Sequence, residues 1–89
     1  MFDWDGHNLD HIALHRVEDF EAEEALLDPG RVRTGAYNLP HEKRRALIGT
    51  TEEGRVLLVV YTMRGERVRV VTARDASETE KRLYRRRKA

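Results

Sequence analysis

The segment spanning residues 56–74, VLLVVYTMRGERVRVVTAR, constrains the fold more than any other part of this sequence. It predicts two antiparallel strands joined at Arg64-Gly65, because β-branched and apolar side chains pack well on a pleated sheet and glycine adopts the positive φ of a tight turn. The first strand, residues 56–62, is apolar on both faces. We therefore expect it to lie in the middle of a sheet that is covered on both sides.

The second strand of this hairpin alternates in polarity. Arg67 and Arg69 fall on one face and Val68 and Val70 on the other. Alternation places the two arginines about 7 Å apart, a spacing comparable to that of adjacent phosphates on a nucleic-acid strand. The hairpin is thus a candidate for both the core and a functional site.

Length and composition indicate one small domain, residues 1–89, with a single core. The chain has 89 residues, of which 39% are hydrophobic and 37% charged, and its net charge is +1. With so small a net charge, affinity for nucleic acid must come from local clusters of cations. The sequence has no cysteine, which excludes disulfides and thiolate catalysis. No apolar run approaches the ~20 residues that span a bilayer, and the acidic start is unlike a signal peptide. We expect a cytoplasmic protein that does not engage a membrane.

Two helices are predicted before the sheet. Phe2 and Trp4 are expected to anchor an extended start, and Asp5 to cap a helix over about residues 6–16. A second helix over about residues 18–27 ends at Asp28-Pro29-Gly30. In the first helix, a core-facing stripe is predicted on one side and a histidine ladder on the other; the stripe is Leu9, Ile12 and Ala13, and the ladder is His7, His11 and His15.

The rest of the chain completes an α+β pattern. Residues 31–37 and 45–51 read as two strands, separated by a loop at 38–42 and followed by a turn at 52–54. Ser77 and Glu80 fit a capping box that opens a last helix to about residue 86, with a basic end at 85–88. The expected fold is two N-terminal helices, a four-stranded antiparallel sheet and a C-terminal basic helix.

Several of these segments together resemble the BrnT family over nearly the whole chain. The residues that carry the resemblance are Trp4-Asp5, Asp10-His11-Ile12-Ala13, His15, Glu24-Ala25-Leu26, Gly54-Arg55, the strand Arg67-Val68-Arg69-Val70-Val71-Thr72-Ala73-Arg74, Glu80 and Tyr84. The resemblance departs at Arg16, where family members often have a helix-ending glycine, and at Glu18, where a Thr-type cap is expected. It implies a RelE-like fold and a ribonuclease toxin of a type II toxin–antitoxin pair. It further implies a cognate antitoxin of the ribbon-helix-helix type in a possible toxin–antitoxin hetero-oligomer.

RNA cleavage without a metal needs a base for the 2′-hydroxyl, a cation that stabilises the phosphate in the transition state and an acid for the leaving 5′-oxygen. On this basis we expect His11, His15, Arg67, Arg69 and Arg74 to carry catalysis, with Arg64, Tyr61 and Tyr84 binding RNA. No cofactor or metal is expected. On an ideal strand Arg69 and Arg74 point to opposite faces, so they share one site only if the strand twists or bulges near residues 72–73.

Other interpretations of the same residues stay open. The histidine ladder could be solvated or could chelate a metal, although no Asp or Glu completes a familiar motif. The strand arginines could form exposed cross-strand ion pairs, and the basic end of the last helix could be a solvated tail. At the level of function, the alternatives are a non-catalytic RNA- or antitoxin-binding module of the same fold, and an RNA-binding protein that acts on the ribosome.

Overall fold

The computed structural model describes the backbone of residues 1–39 and 42–88 and the side chains of residues 1–35 and 43–86. These residues form, in chain order, α1 (Gly6–Ala13), α2 (Asp19–Leu27), β1 (Val32–Leu39), β2 (Glu42–Thr50), β3 (Val56–Arg64), β4 (Arg67–Asp75) and α3 (Glu78–Lys88). The four strands make one antiparallel sheet in the order β1-β2-β3-β4. The predicted α+β architecture is confirmed. Within the described residues, no helix is both long enough and apolar enough to cross a membrane.

Strand β3 forms the centre of two cores, one on each face of the sheet. Leu57 and Val59 pack with α1 and α2, whereas Leu58 and Val60 pack with α3. All four residues are buried, because a strand between two helical layers has no solvent-facing side. The central, doubly covered position predicted from the apolar run is confirmed.

The N-terminal segment adds a short pairing at the outer edge of β4. Phe2 forms a parallel bridge with Val68, whose carbonyl accepts from Asp3 N–H at 2.8 Å and whose N–H donates to the Met1 carbonyl at 2.7 Å. Phe2 and Trp4 also pack against the core, and the Trp4 indole N–H donates to Glu23 at 2.8 Å. The predicted aromatic anchoring of the N-terminus is therefore correct, and it protects part of an edge strand.

Helix α1 is shorter than predicted. It ends at Ala13, and Arg16 follows at φ +58°, in the left-handed region that reverses the chain and carries Val17 into the core. The predicted apolar stripe is wrong in part: Ile12 is buried, but Leu9 and Ala13 are exposed. Asn8 takes the second buried position, where its side-chain amide donates to the carbonyls of Asp3 and Val70. A polar residue thus ties α1 to the sheet.

The strand boundaries differ from the predictions at the β1–β2 connection. The loop predicted for residues 38–42 is wrong where it can be compared, because Asn38, Leu39 and Glu42 belong to the paired strands. Pro40 and His41 lie outside the described residues. At the β3–β4 turn the two turn residues are Gly65 and Glu66, and Gly65 has the expected positive φ of +60°.

Strand β4 contains a bulge at Val71. Val70 pairs with Tyr61 and Thr72 pairs with Val60, so Val71 is the extra residue of the ladder. One extra residue reverses the alternation of side chains beyond it. The condition stated for Arg69 and Arg74, a twist or bulge near residues 72–73, is met by this bulge, which puts the two arginines nominally on the same face of β4.

Candidate active site

A cleft of about 340 Å³ lies between α1 and the half of the sheet nearest the β3–β4 turn. Its polar walls combine two histidines from one helix with arginines from three strands: His7, His11, Arg44, Arg64 and Arg69. We call this the histidine–arginine cleft. Thr62 pairs directly with Arg69 across β3 and β4, and Arg44 lies one residue beyond the Arg45–Tyr61 pair on β2. Antiparallel register therefore brings together arginines that are far apart in sequence.

Two histidines enter the cleft because they are one helical turn apart. His7 and His11 occupy positions i and i+4 of α1, and both line the cavity. Asp5 holds the start of this helix, since its carboxylate accepts from the backbone N–H groups of His7 at 2.9 Å and Asn8 at 3.1 Å. The cap that was predicted at Asp5 is confirmed, and it fixes the direction in which α1 presents its imidazoles.

Arg69 is a largely enclosed cation of the cleft. Its side chain is 12% exposed, and its guanidinium lies 3.1 Å from an oxygen of Asp5 and 3.6 Å from an oxygen of Asp3. Together with the N–H of Asn8, which contributes most, the Arg69 guanidinium lowers the pKa of Asp5. Arg64 is 62% exposed and approaches Asp3 only to 4.0 Å. Of these two arginines of the cleft, Arg69 is largely enclosed and bound by carboxylates, and Arg64 is open to solvent.

The structure separates the predicted catalytic residues. His11, Arg64 and Arg69 line the cleft, and Arg67 lies beside it at the exposed end of β4, opposite Arg64 in register. His15 follows the end of α1 and does not line the cleft, although its ring centroid is 6.4 Å from that of His11. The ladder that predicted His15 assumed a helix three residues longer than the one formed.

Arg74 lies at the other end of β4, in a different environment. Its guanidinium donates to both carboxylate oxygens of Glu80, at 2.9 and 3.1 Å, and to the carbonyl of Asp75 at 3.1 Å. Glu80 also accepts from Ser77 N–H at 2.8 Å, and Ser77 Oγ accepts from Glu80 N–H at 3.2 Å, which confirms the predicted capping box. The hydrogen bond from the Arg74 guanidinium has the largest effect on the pKa of Glu80. Together with the bonds from Ser77, it holds that pKa below its usual range. The bulge places Arg74 on the same face of β4 as Arg69, but the Arg74 side chain binds the cap of α3 and does not reach the cleft.

The two tyrosines predicted to bind RNA do not reach the histidine–arginine cleft. Tyr61 lies on the opposite face of the sheet, packed against the core below α2. Tyr84 is 5% exposed, and its hydroxyl donates to Asp28 at 2.6 Å. Its ring is a core residue of the α3 face and offers no open surface for a base to stack on.

Four residues of the site were not predicted from the sequence. His7 and Arg44 line the cleft, and Asp3 and Asp5 bind Arg69. His7 was visible in the i, i+4 pattern with His11. Arg44 was not, because it was placed in no strand, and its approach depends on the register of β2 with β3. The described residues contain no group of three or more His, Cys, Asp or Glu side chains that could hold a metal ion.

Comparison with known proteins adds one match. The family model described as "Ribonuclease toxin, BrnT, of type II toxin-antitoxin system" matches residues 4–80. The matched region includes α1, α2, the whole sheet and the α3 cap, and therefore every residue of the histidine–arginine cleft. No curated protein matches the chain.

Proposed function

The chain belongs to the BrnT family of ribonuclease toxins of type II toxin–antitoxin systems, and from this premise we propose that it cuts RNA without a metal ion in the histidine–arginine cleft. The single observation that carries the proposal is the meeting of two imidazoles and three guanidinium groups in one open cavity. Imidazoles transfer protons near neutral pH, and guanidinium groups bind phosphate oxygens in pairs.

The proposed reaction is an internal transfer at phosphorus. One histidine removes the proton of the 2′-hydroxyl, whose oxygen attacks the adjacent phosphorus as the bond to the 5′-oxygen breaks. A second histidine protonates that leaving oxygen, so the products are a 2′,3′-cyclic phosphate and a 5′-hydroxyl. We assign these proton transfers to His11 and His7, because both line the cavity on adjacent turns of α1.

The arginines would stabilise the negative charge that develops on the phosphate. Arg64 is exposed enough to meet a phosphate directly, and Arg67 lies beside it across the hairpin. Arg69 is already bound by two carboxylates, so its remaining N–H groups would contact phosphate while Asp3 and Asp5 hold it in place. His15 and Arg74, also predicted as catalytic, would act through their neighbours: His15 beside His11, and Arg74 on the α3 cap.

We further propose that the chain is neutralised by a cognate antitoxin of the ribbon-helix-helix type in a hetero-oligomer. Support comes from membership of a type II family, whose toxins are paired with antitoxins, and from the sequence resemblance. A second candidate function is a non-catalytic RNA- or antitoxin-binding module. The observation that favours it is the engagement of Arg69 by Asp3 and Asp5, which leaves this cation less free to meet a phosphate.

Cleavage of a labelled RNA by purified protein in EDTA tests the proposal. We expect His11→Ala and Arg69→Ala each to lower the rate ~10- to 1,000-fold, as when one charge stabiliser or proton-transfer group is removed. Arg69→Lys should restore only part of the loss, because a point charge does not replace a bidentate fork. Arg85→Ala, an exposed arginine of α3, is the matched control and should cleave normally.

Asp5→Asn separates catalysis by Arg69 from its structural contacts. If Arg69 served only to hold the N-terminal segment, Asp5→Asn and Arg69→Ala would both weaken cleavage, since each removes the ion pair between Arg69 and Asp5. We expect Asp5→Asn to retain most of the activity. Cleavage that EDTA abolishes and zinc restores would contradict the metal-free mechanism, and a folded wild-type protein that binds RNA without cutting it would favour the non-catalytic module.

A further inference from the structure

A second cavity, of about 360 Å³, lies on the opposite side of the sheet from Arg44 and Arg64. Its floor is apolar and its rim is basic. The rim comprises Arg31, Arg33 and Arg45, and the floor comprises Met1, Phe2, Leu26, Leu27, Leu47, Tyr61, Met63 and Val68. We call it the basic-rimmed groove. Three cross-strand pairs build it, Arg33 with Leu47, Arg45 with Tyr61 and Met63 with Val68. Alternation along β2 and β3 is what directs Arg45 and Met63 away from the histidine–arginine cleft.

The floor of this groove is exposed where the helices end. Helix α2 covers β2 and β3, but Leu27 at its last position is 61% exposed, and Met63 near the β3–β4 turn is 47% exposed. Large apolar side chains that are exposed side by side and rimmed by polar groups are typical of a surface that binds another protein.

The rim carries positive charge without a compensating acid. In the described part of the chain, Arg33 and Arg45 form no ion pair, and no residue lining the groove is acidic. Arg31 donates to the backbone carbonyl of Asp28 at 3.2 Å, which leaves its charge unneutralised. A partner that matches this surface carries carboxylates along the edges of an apolar stripe.

We propose that the basic-rimmed groove receives an acidic amphipathic segment of the antitoxin. RNA matches the rim but not most of the floor, since leucine, methionine and valine offer a base neither a hydrogen bond nor an aromatic face, and of the lining residues only Phe2 and Tyr61 are aromatic. A protein segment matches both parts. This inference rests on the pairing with an antitoxin in the proposed function, but it does not depend on RNA cleavage.

Selection from a random displayed peptide library against the purified full-length chain tests this assignment. We expect the selected peptides to be enriched in Asp and Glu spaced around Leu, Met or Phe. Their binding should weaken at least about tenfold in the double variant Arg33→Glu/Arg45→Glu, because both rim charges reverse, and in Met63→Glu, which places a charge on the floor. The matched control, Arg85→Glu/Arg86→Glu on the exposed side of α3, makes the same change of charge and should bind normally.

The same variants distinguish this inference from the proposed ribonuclease activity. Arg33→Glu/Arg45→Glu should cut RNA at the wild-type rate, because neither residue lines the histidine–arginine cleft. Peptides without acidic enrichment, peptides indifferent to the groove variants, or no selected peptides at all would overturn the inference and leave the cleavage test unaffected. A labelled RNA whose binding falls in the groove variants as much as in Arg64→Ala would assign this face to RNA and would also overturn it.

Discussion

The two ends of the sheet differ in how their polar groups are used. At one end, where β3 begins and β4 finishes, ionic and polar side chains bind each other. The Arg55 guanidinium donates hydrogen bonds to the carboxylates of Glu21 and Asp75 and to the carbonyls of His15 and Arg16. Its hydrogen bond to Asp75 is the largest cause of the lowered pKa of that carboxyl group. We call this the closed end. At the other end, by the β3–β4 turn, arginines line two open cavities on opposite faces.

This difference indicates a division of labour within one small domain. Pairing at the closed end fixes α2 and α3 against the sheet. At the open end, the exposed arginines Arg33, Arg45 and Arg67 form no ion pair within the described part of the chain and remain available for ligands. The comparison can be tested by substitutions that should be costly at the closed end and nearly neutral at the open end. Two substitutions at the closed end, each with a counterpart at the open end, make this test. A third substitution, at Arg16, examines the backbone of the closed end, and we expect the three effects to decrease in size.

Gly49→Ala should be the most destabilising. Gly49 lies on β2 directly below α2, and a Cβ there would overlap the Ala25 carbonyl oxygen and approach the Ala25 carbonyl carbon to 2.8 Å. Since both contacts are backbone, α2 would have to move away from the sheet, and we expect a loss of about 3 kcal/mol in the free energy of unfolding. Urea denaturation measures it. Arg67→Ala at the open end is the comparison and should change stability by less than about 0.5 kcal/mol. Equal losses would remove the distinction between the ends.

Tyr84→Phe should have an intermediate effect. The tyrosine hydroxyl donates to Asp28, whose carboxylate also accepts from the backbone N–H groups of Gly30 at 2.9 Å and Thr50 at 3.0 Å. Loss of this partly buried hydrogen bond to a charged group should lower the free energy of unfolding by about 2 kcal/mol, as measured by thermal and urea unfolding. Tyr61→Phe makes the same chemical change near the open end, where the hydroxyl has no partner among the described residues, and should be close to neutral. Equal stability of the two variants would show that the hydrogen bond from Tyr84 to Asp28 does not stabilise the closed end.

Arg16→Gly should have the smallest effect and the opposite sign. Arg16 adopts φ +58°, a conformation that strains residues with a Cβ, and its carbonyl must stay in place to accept from Arg55 at 2.8 Å. Glycine relieves the strain but gains freedom in the unfolded chain, so we expect a net stabilisation of about 0.5 kcal/mol. Arg16→Ala retains the Cβ and should not stabilise. Equal stability of the Gly and Ala variants would show that the backbone is unstrained there.

Much of the fold could be predicted from local patterns. Three predictions depend only on neighbouring residues, and all three are confirmed: the apolar strand β3, the glycine of the β3–β4 turn and the Ser77–Glu80 cap. The end of α1 was missed, because nothing in the histidine ladder shows that Arg16 will leave the helix so that Val17 can be buried. The periodicity of a helix carries no information about whether burial of the next residue, here Val17, is more favourable than continuing the helix.

The candidate site was less predictable, because it depends on register. Arg69 was identified on β4, but its contacts with Asp3 and Asp5 join residues more than sixty positions apart. The bulge at Val71 was stated as a condition, yet only the pairing with β3 shows where it falls. Tyr84 had few apolar neighbours in sequence, and its burial follows from the packing of α3 on Ala46, Ile48 and Leu58 of the sheet.

The bridge between Phe2 and Val68 has a consequence for the order in which the site forms during synthesis. The residues that brace Arg69 leave the ribosome first, and the strand they brace is made only after α1, α2 and three strands. Closing a loop of this length carries an entropic cost that the earlier elements must already have reduced by folding. A nascent chain that stops before β4 therefore has its histidines but neither Arg69 nor an intact cleft, and the newly made protein is without its complete site until the sheet is finished.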